Sequence, residues 1–113
     1  MSFDFAILAV ELYKNLTVNK KEYVMSKQLL RSGTAVGALV REAQNAESKA
    51  DFIHKLAIAQ KECDETVYWL ELLHRTQFLS DSLFVQHNKA ASSILNVIKR
   101  IIVSTRNNIT SRK

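Results

Sequence analysis

Leu30-Arg31-Ser32-Gly33-Thr34-Ala35-Val36-Gly37-Ala38-Leu39-Val40 holds both glycines of a 113-residue chain that contains no proline. Neither glycine can be routine turn punctuation, because the stretch around them reads as uninterrupted helix. Glycine inside a helix costs roughly 0.5–1 kcal/mol relative to alanine. Two of them four residues apart on one face therefore predict that another backbone comes very close at Gly33 and Gly37. The segment carries two neighbouring stripes, Tyr23, Ser26, Leu30, Gly33, Gly37 and Val40 beside Met25, Leu29, Ser32, Val36, Leu39 and Ala43. Both are rich in small residues, which fits helix packing and not a phosphate cradle.

The remaining segments follow the same period. Phe52, Leu56, Ala59, Cys63, Thr66, Leu70 and Leu73 recur at alternating steps of four and three, the spacing of a bundle seam. Phe84, His87, Ala91, Ile94, Ile98, Ile101 and Thr105 repeat the rule, with Leu95, Val97, Ile102 and Val103 widening the apolar arc. Asn19 with Glu22, and Ser48 with Asp51, have capping-box spacing, and Ser80 to Ser82 mark a further start. These signals predict helices at about 3–17, 20–46, 49–78 and 82–107, followed by a basic tail at 108–113. Short connections favour antiparallel neighbours, so the expected fold is a single all-α domain, 1–113, an up-down-up-down four-helix bundle.

The first helix has only a narrow polar strip of Asp4, Glu11, Lys14 and Asn15, and the fourth is apolar over more than one seam requires. Such surplus predicts a homo-oligomer. No apolar run approaches the roughly 20 residues of a membrane span, and the first residues lack a signal-peptide pattern. A soluble, cytoplasmic protein with no membrane partner is expected. Cys63 falls among apolar positions and reads as a buried reduced thiol.

Charge is distributed unevenly. The net charge is +5, yet all eleven acids lie at or before Asp81. Beyond it stand Lys89, Lys99, Arg100, Arg106, Arg112 and Lys113 with no carboxylate to oppose them. With Ser92, Ser93, Asn96 and Asn107, the helical ones form a face of phosphate-compatible donors, so RNA or DNA is the expected ligand. No aromatic residue follows Phe84, which predicts contacts mainly to phosphates, weak sequence specificity and steep salt dependence. No cofactor or metal is expected. Glu71-Leu72-Leu73-His74 is half of a di-iron motif whose other half is missing, and Glu71 is better placed to pair with Arg75. His54 and His74 meet no nucleophile, and His87 falls on the core stripe as a structural histidine. The expected protein is nonenzymatic.

The run Leu30 to Ala43 closely resembles the second helix of a bacterial four-helix-bundle family. The likeness continues through Ser48 to Leu56, then Ala59, Lys61-Glu62, Glu65-Thr66 and Tyr68 to Leu73. That family comprises proteins encoded in 23S ribosomal RNA intervening sequences, often mislabelled ribosomal proteins, and related accessory proteins of diversity-generating retroelements. The resemblance implies a homopentameric ring with a basic surface that contacts nucleic acid or a nucleic-acid-processing enzyme, a reverse transcriptase in the retroelement branch. Leu39 departs from the asparagine of many members. Arg31, Glu42, Glu62 and Glu65 are polar family positions that suit an ion-pair network between helices or subunits or else stand as ordinary surface charges, and Arg31 and Glu42 stand about 16 Å apart along one helix, so each needs a partner from elsewhere. Trp69 and Leu72 share a mixed charged and apolar stripe that, with Val103, suits a subunit interface.

Overall fold

Ser48 opens a helix as its spacing predicts, and Ser80 opens another within the start expected at Ser80 to Ser82. In the computed structural model, which describes the backbone of residues 1–111 and the side chains of residues 1–107, the Ser48 Oγ accepts from the Asp51 amide at 3.0 Å and the Ser80 Oγ from the Leu83 amide at 3.2 Å. The four helices are α1 (Ser2–Val18), α2 (Met25–Gln44), α3 (Lys49–Arg75) and α4 (Asp81–Ser111). No strand occurs among the described residues.

Two boundaries move from their expected places for the same reason, a residue held at positive φ. Lys21 adopts φ 57, which turns the chain and delays α2 to Met25. The cap is Glu22 alone: its carboxylate accepts from the amides of Val24, Met25 and Ser26 at 3.1, 3.1 and 2.7 Å. Asn19, expected to share that cap, instead closes α1, its amide donating to Asn15 O at 2.9 Å. A negative charge on three open amides also suits the positive end of the helix dipole.

At the other junction α3 stops at Arg75 instead of 78 because Gln77 adopts φ 71. The Phe78 amide returns to Leu73 O at 2.9 Å and the Gln77 amide to His74 O at 3.1 Å, a Schellman closure made without glycine. A side chain in that conformation is strained, so Gln77→Gly is expected to stabilise the protein by a few tenths to about 1 kcal/mol. Thermal unfolding measures this, and an unchanged or lower midpoint would refute the strain. α4 continues to Ser111, so the segment expected as tail begins inside the helix.

Cross-helix pairs fix the topology. Ala9 lies under Gly33 and the Ser2 carbonyl under Gly37. The Thr66 and Ser32 hydroxyls are 2.9 Å apart, Lys55 reaches Glu42 at 3.7 Å, and the Cys63 thiol donates to Ala91 O at 3.4 Å. In α1 with α2 and α2 with α3 one residue number rises as the other falls, and in α3 with α4 Cys63 meets Ala91 while His74 stacks on Phe84, so consecutive helices are antiparallel, as the sequence predicts. They form a rod of 55 × 22 × 18 Å. α1 and α4, which close the ring, touch least.

The core is built from Phe5, Leu12, Leu16, Leu29, Val36, Leu56, Ala59, Cys63, Leu70, Leu73, Ala91, Ile94 and Ile98, among others. The expected seams of α2 and α3 are largely those observed. On α4 the seam ends on Ile102, 5% exposed, and not on Ile101, 37% exposed. α1 begins at the level of Ala90 and Ile94, and among the described residues the surface around Ile101 is lined by α4 side chains alone.

Candidate nucleic-acid interface

α4 runs from Asp81 to Ser111 without glycine or proline, so its side-chain positions are set by one unbroken helical period. His87, Ala91, Ile94, Ile98 and Ile102 face inward. Lys89, Ser92, Ser93, Asn96, Lys99, Arg100, Arg106 and Asn107 are exposed, as the charge pattern predicts. Lys89 and Arg100 stand eleven residues apart on nearly one line, about 16 Å along the axis at helical rise. Lys99 diverges from Arg100 by a little over a quarter turn. Among the described residues, no carboxylate lies within ion-pair distance of Lys89, Lys99 or Arg100. Arg112 and Lys113, also expected to contribute, lie outside the described residues.

Cations elsewhere are engaged differently. The Arg31 guanidinium pairs with Glu62 at 3.0 Å and also with Glu65, tying α2 to α3. Lys55 with Glu42 makes the second such tie. The polar family positions thus find partners on the facing helix of the same chain. Arg41 lies over the Phe3 ring, 5.9 Å from its centroid.

Two of the three histidines have structural roles, while His54 is exposed. His87, 6% exposed, donates from Nδ1 to Leu83 O at 2.9 Å, one turn back on its own helix. His74 Nε2 lies 2.7 Å from Asp81 Oδ1, and its ring stacks on Phe84 with centroids 4.3 Å apart, joining the end of α3 to the start of α4. Glu71 and Arg75 are exposed and form no ion pair, contrary to the expectation from their spacing, since two solvated side chains gain too little from pairing to be held. Among the described residues, no three of His, Cys, Asp and Glu gather where they could hold a metal ion.

Cys63 is fully buried, and burial, with Asp64 nearby, pushes its thiol from 9.0 up to about 11. A thiol held protonated by the fold contributes stability that is intact below pH 9 and is lost as pH rises from 9 towards 11. Denaturant titrations across that window should show a decline that Cys63→Ala lacks. An identical decline in both proteins would count against the assignment.

Trp69 is half-buried against the core cluster, its ring edge-on to Tyr68 at 4.9 Å, and its Nε1 has no hydrogen-bond partner. Leu72 is half-buried on the same flank of α3. Val103 is 56% exposed on α4, about 27 Å along the axis from Trp69 by helical rise. The three expected interface residues are therefore not one patch. On α1, Phe3, Ile7 and Val18 stand 61%, 42% and 65% exposed, on a face that also carries the exposed Glu11 and Lys14.

The family model for the 23S rRNA-intervening sequence protein matches residues 1–100. A crystal structure at 1.70 Å of a protein of unknown function from the S23 ribosomal protein family of Bacteroides thetaiotaomicron VPI-5482 is 50% identical. The match covers 89% of this chain and 94% of that one, with a TM-score of 0.89. A comparison with curated proteins finds no match.

Proposed function

This chain belongs to the family of 23S rRNA-intervening sequence proteins, and from that premise we propose a nonenzymatic, cytoplasmic, oligomeric adaptor that binds nucleic acid through α4. The observation that carries the proposal is the helix itself. From Ser82 onward it has no acid, and it presents Lys89, Lys99 and Arg100 to solvent without an opposing carboxylate. Such cations meet phosphates, release counterions and give affinity that falls with salt. Arg106 extends the same face.

Oligomerisation is the second part of the proposal. The exposed Phe3 and Ile7, one turn apart at the start of α1, give a second copy apolar side chains to cover, and the family resemblance implies five copies. Repetition would multiply a modest site into a useful one. The same surface favours a second reading, a scaffold that recruits a nucleic-acid-processing enzyme such as a reverse transcriptase.

The test is anisotropy of a labelled RNA hairpin across a salt series. Replacing Lys89, Lys99 and Arg100 together by glutamine should weaken binding roughly 100-fold at low salt and flatten the salt slope by about one unit per lost contact. Unchanged affinity would defeat the α4 assignment. Light scattering of the wild-type protein at micromolar concentration checks assembly, and a monomer mass would defeat that part.

A further inference from the structure

The chemistry of the α4 face distinguishes paired from unpaired nucleic acid. A protein that grips single strands supplies aromatic rings on which successive bases stack, replacing the base–base stacking that the free strand makes. On α4 the one aromatic ring, Phe84, is half-buried and stacked on His74. Around Lys89, Lys99 and Arg100 the exposed neighbours on α4 are the short, polar Ser92, Ser93 and Asn96 together with Val85 and Val103, none of them aromatic. The exposed rings elsewhere are already engaged or placed apart: Phe3 lies under Arg41, Tyr68 meets Trp69, and Tyr23 sits in the connection before α2. Bases unstacked at this surface would find no ring to replace their neighbours.

The arrangement of the cations is also rigid. Lys89 and Arg100 share a ridge about 16 Å long, while Lys99 points to its flank, so the charged tips spread by roughly the 10–12 Å width of a helix. α4 holds this triangle because its inner face is packed from His87 to Ile102 against the bundle. A fixed triangle matches phosphates that are themselves fixed. A duplex, stiff over about 150 base pairs, presents its two backbones in that way, whereas a flexible strand must be ordered first. A duplex also carries the denser charge, with a salt slope of about 0.9 per contact against about 0.7 for single strands.

We infer that the ligand of this face is double-stranded nucleic acid, held by phosphates of both backbones and not by its bases. The inference rests on reading α4 as a phosphate-contacting surface. RNA and DNA duplexes share that chemistry and differ in groove shape, A-form against B-form.

The experiment uses the full chain and a labelled, non-self-complementary 24-nucleotide strand, alone and annealed to its complement, prepared both as DNA and as RNA. Anisotropy is followed from 50 to 200 mM salt. The duplex should bind at least tenfold more tightly than its own strand, and Lys99→Gln with Arg100→Gln should lower the duplex salt slope by about 2 while moving the strand less. Circular dichroism checks that this doubly substituted protein is as helical as the parent. Tighter binding of both duplexes supports recognition of the shared backbone chemistry, and a preference confined to one identifies the A-form or B-form source. A single strand bound as tightly as its duplex overturns the inference and leaves the phosphate reading standing. No binding to any of the four ligands overturns both.

Discussion

Gly33→Leu should leave the chain unable to form the native bundle, with loss of cooperative thermal unfolding and of helical signal. A Cβ built at Gly33 would lie 2.8 Å from the Ala9 Cβ, closer than two such carbons approach, and neither belongs to a flexible side chain. Even Gly33→Ala should cost about 1–3 kcal/mol, although alanine is the better helix former, because the overpacked pair must push α1 away. Gly37 is less extreme, its added Cβ meeting the Ser2 carbonyl at 3.2 Å, so its substitution displaces only the start of α1. The decisive comparison is the exchange Ala9→Gly with Gly33→Ala. It moves one methyl across the same contact and should recover most of the stability lost by Gly33→Ala alone. If the double substitution is no better than the single one, the close approach of α1 and α2 is not what these glycines serve.

Leu73→Ala should cost about 2–5 kcal/mol in urea unfolding, the usual range for a truncated core leucine. Leu73 is fully buried, and its carbonyl accepts both the Phe78 amide at 2.9 Å and the Leu79 amide at 3.3 Å. The same residue thus fills the core and anchors the turn that reverses α3 into α4. A cavity there removes support from Leu79, itself 4% exposed, which carries the chain into α4. A cost below about 1 kcal/mol would mean that the site collapses and the turn holds itself. Leu72→Ala, one position away on a half-buried flank, is the control and should cost less.

The fold was legible where periodicity and side-chain capping decide it. The stripe from Leu56 to Leu73 reads as core because each residue returns to one face, and Ser48 and Ser80 read as caps because a short hydroxyl reaches the amide three residues on. The turns at Lys21 and Gln77 were not legible, since neither residue type advertises positive φ. The end of the α4 seam was misplaced because whether Ile101 or Ile102 is covered depends on where α1 begins. Periodicity on α4 alone carries no such information. In the same way the acid-free face of α4 was visible as composition. Arg31, Glu62 and Glu65 were visible as candidates for a network between helices, but not as a pair, because Glu62 and Glu65 approach Arg31 only after α2 folds back on α3.

The sparse meeting of α1 with α4 bears on how the molecule forms. Its well-made interfaces all join helices that follow one another along the chain, so each hairpin can be assembled after closing only a short connection. The one interface that would bring distant segments together contributes least. Loop closure therefore demands little entropy before packing begins to compensate for it, and the nucleus can be local. A monomer built this way belongs with the helical proteins that fold in microseconds to milliseconds, with the joining of α1 to α4 following hairpin formation instead of limiting it.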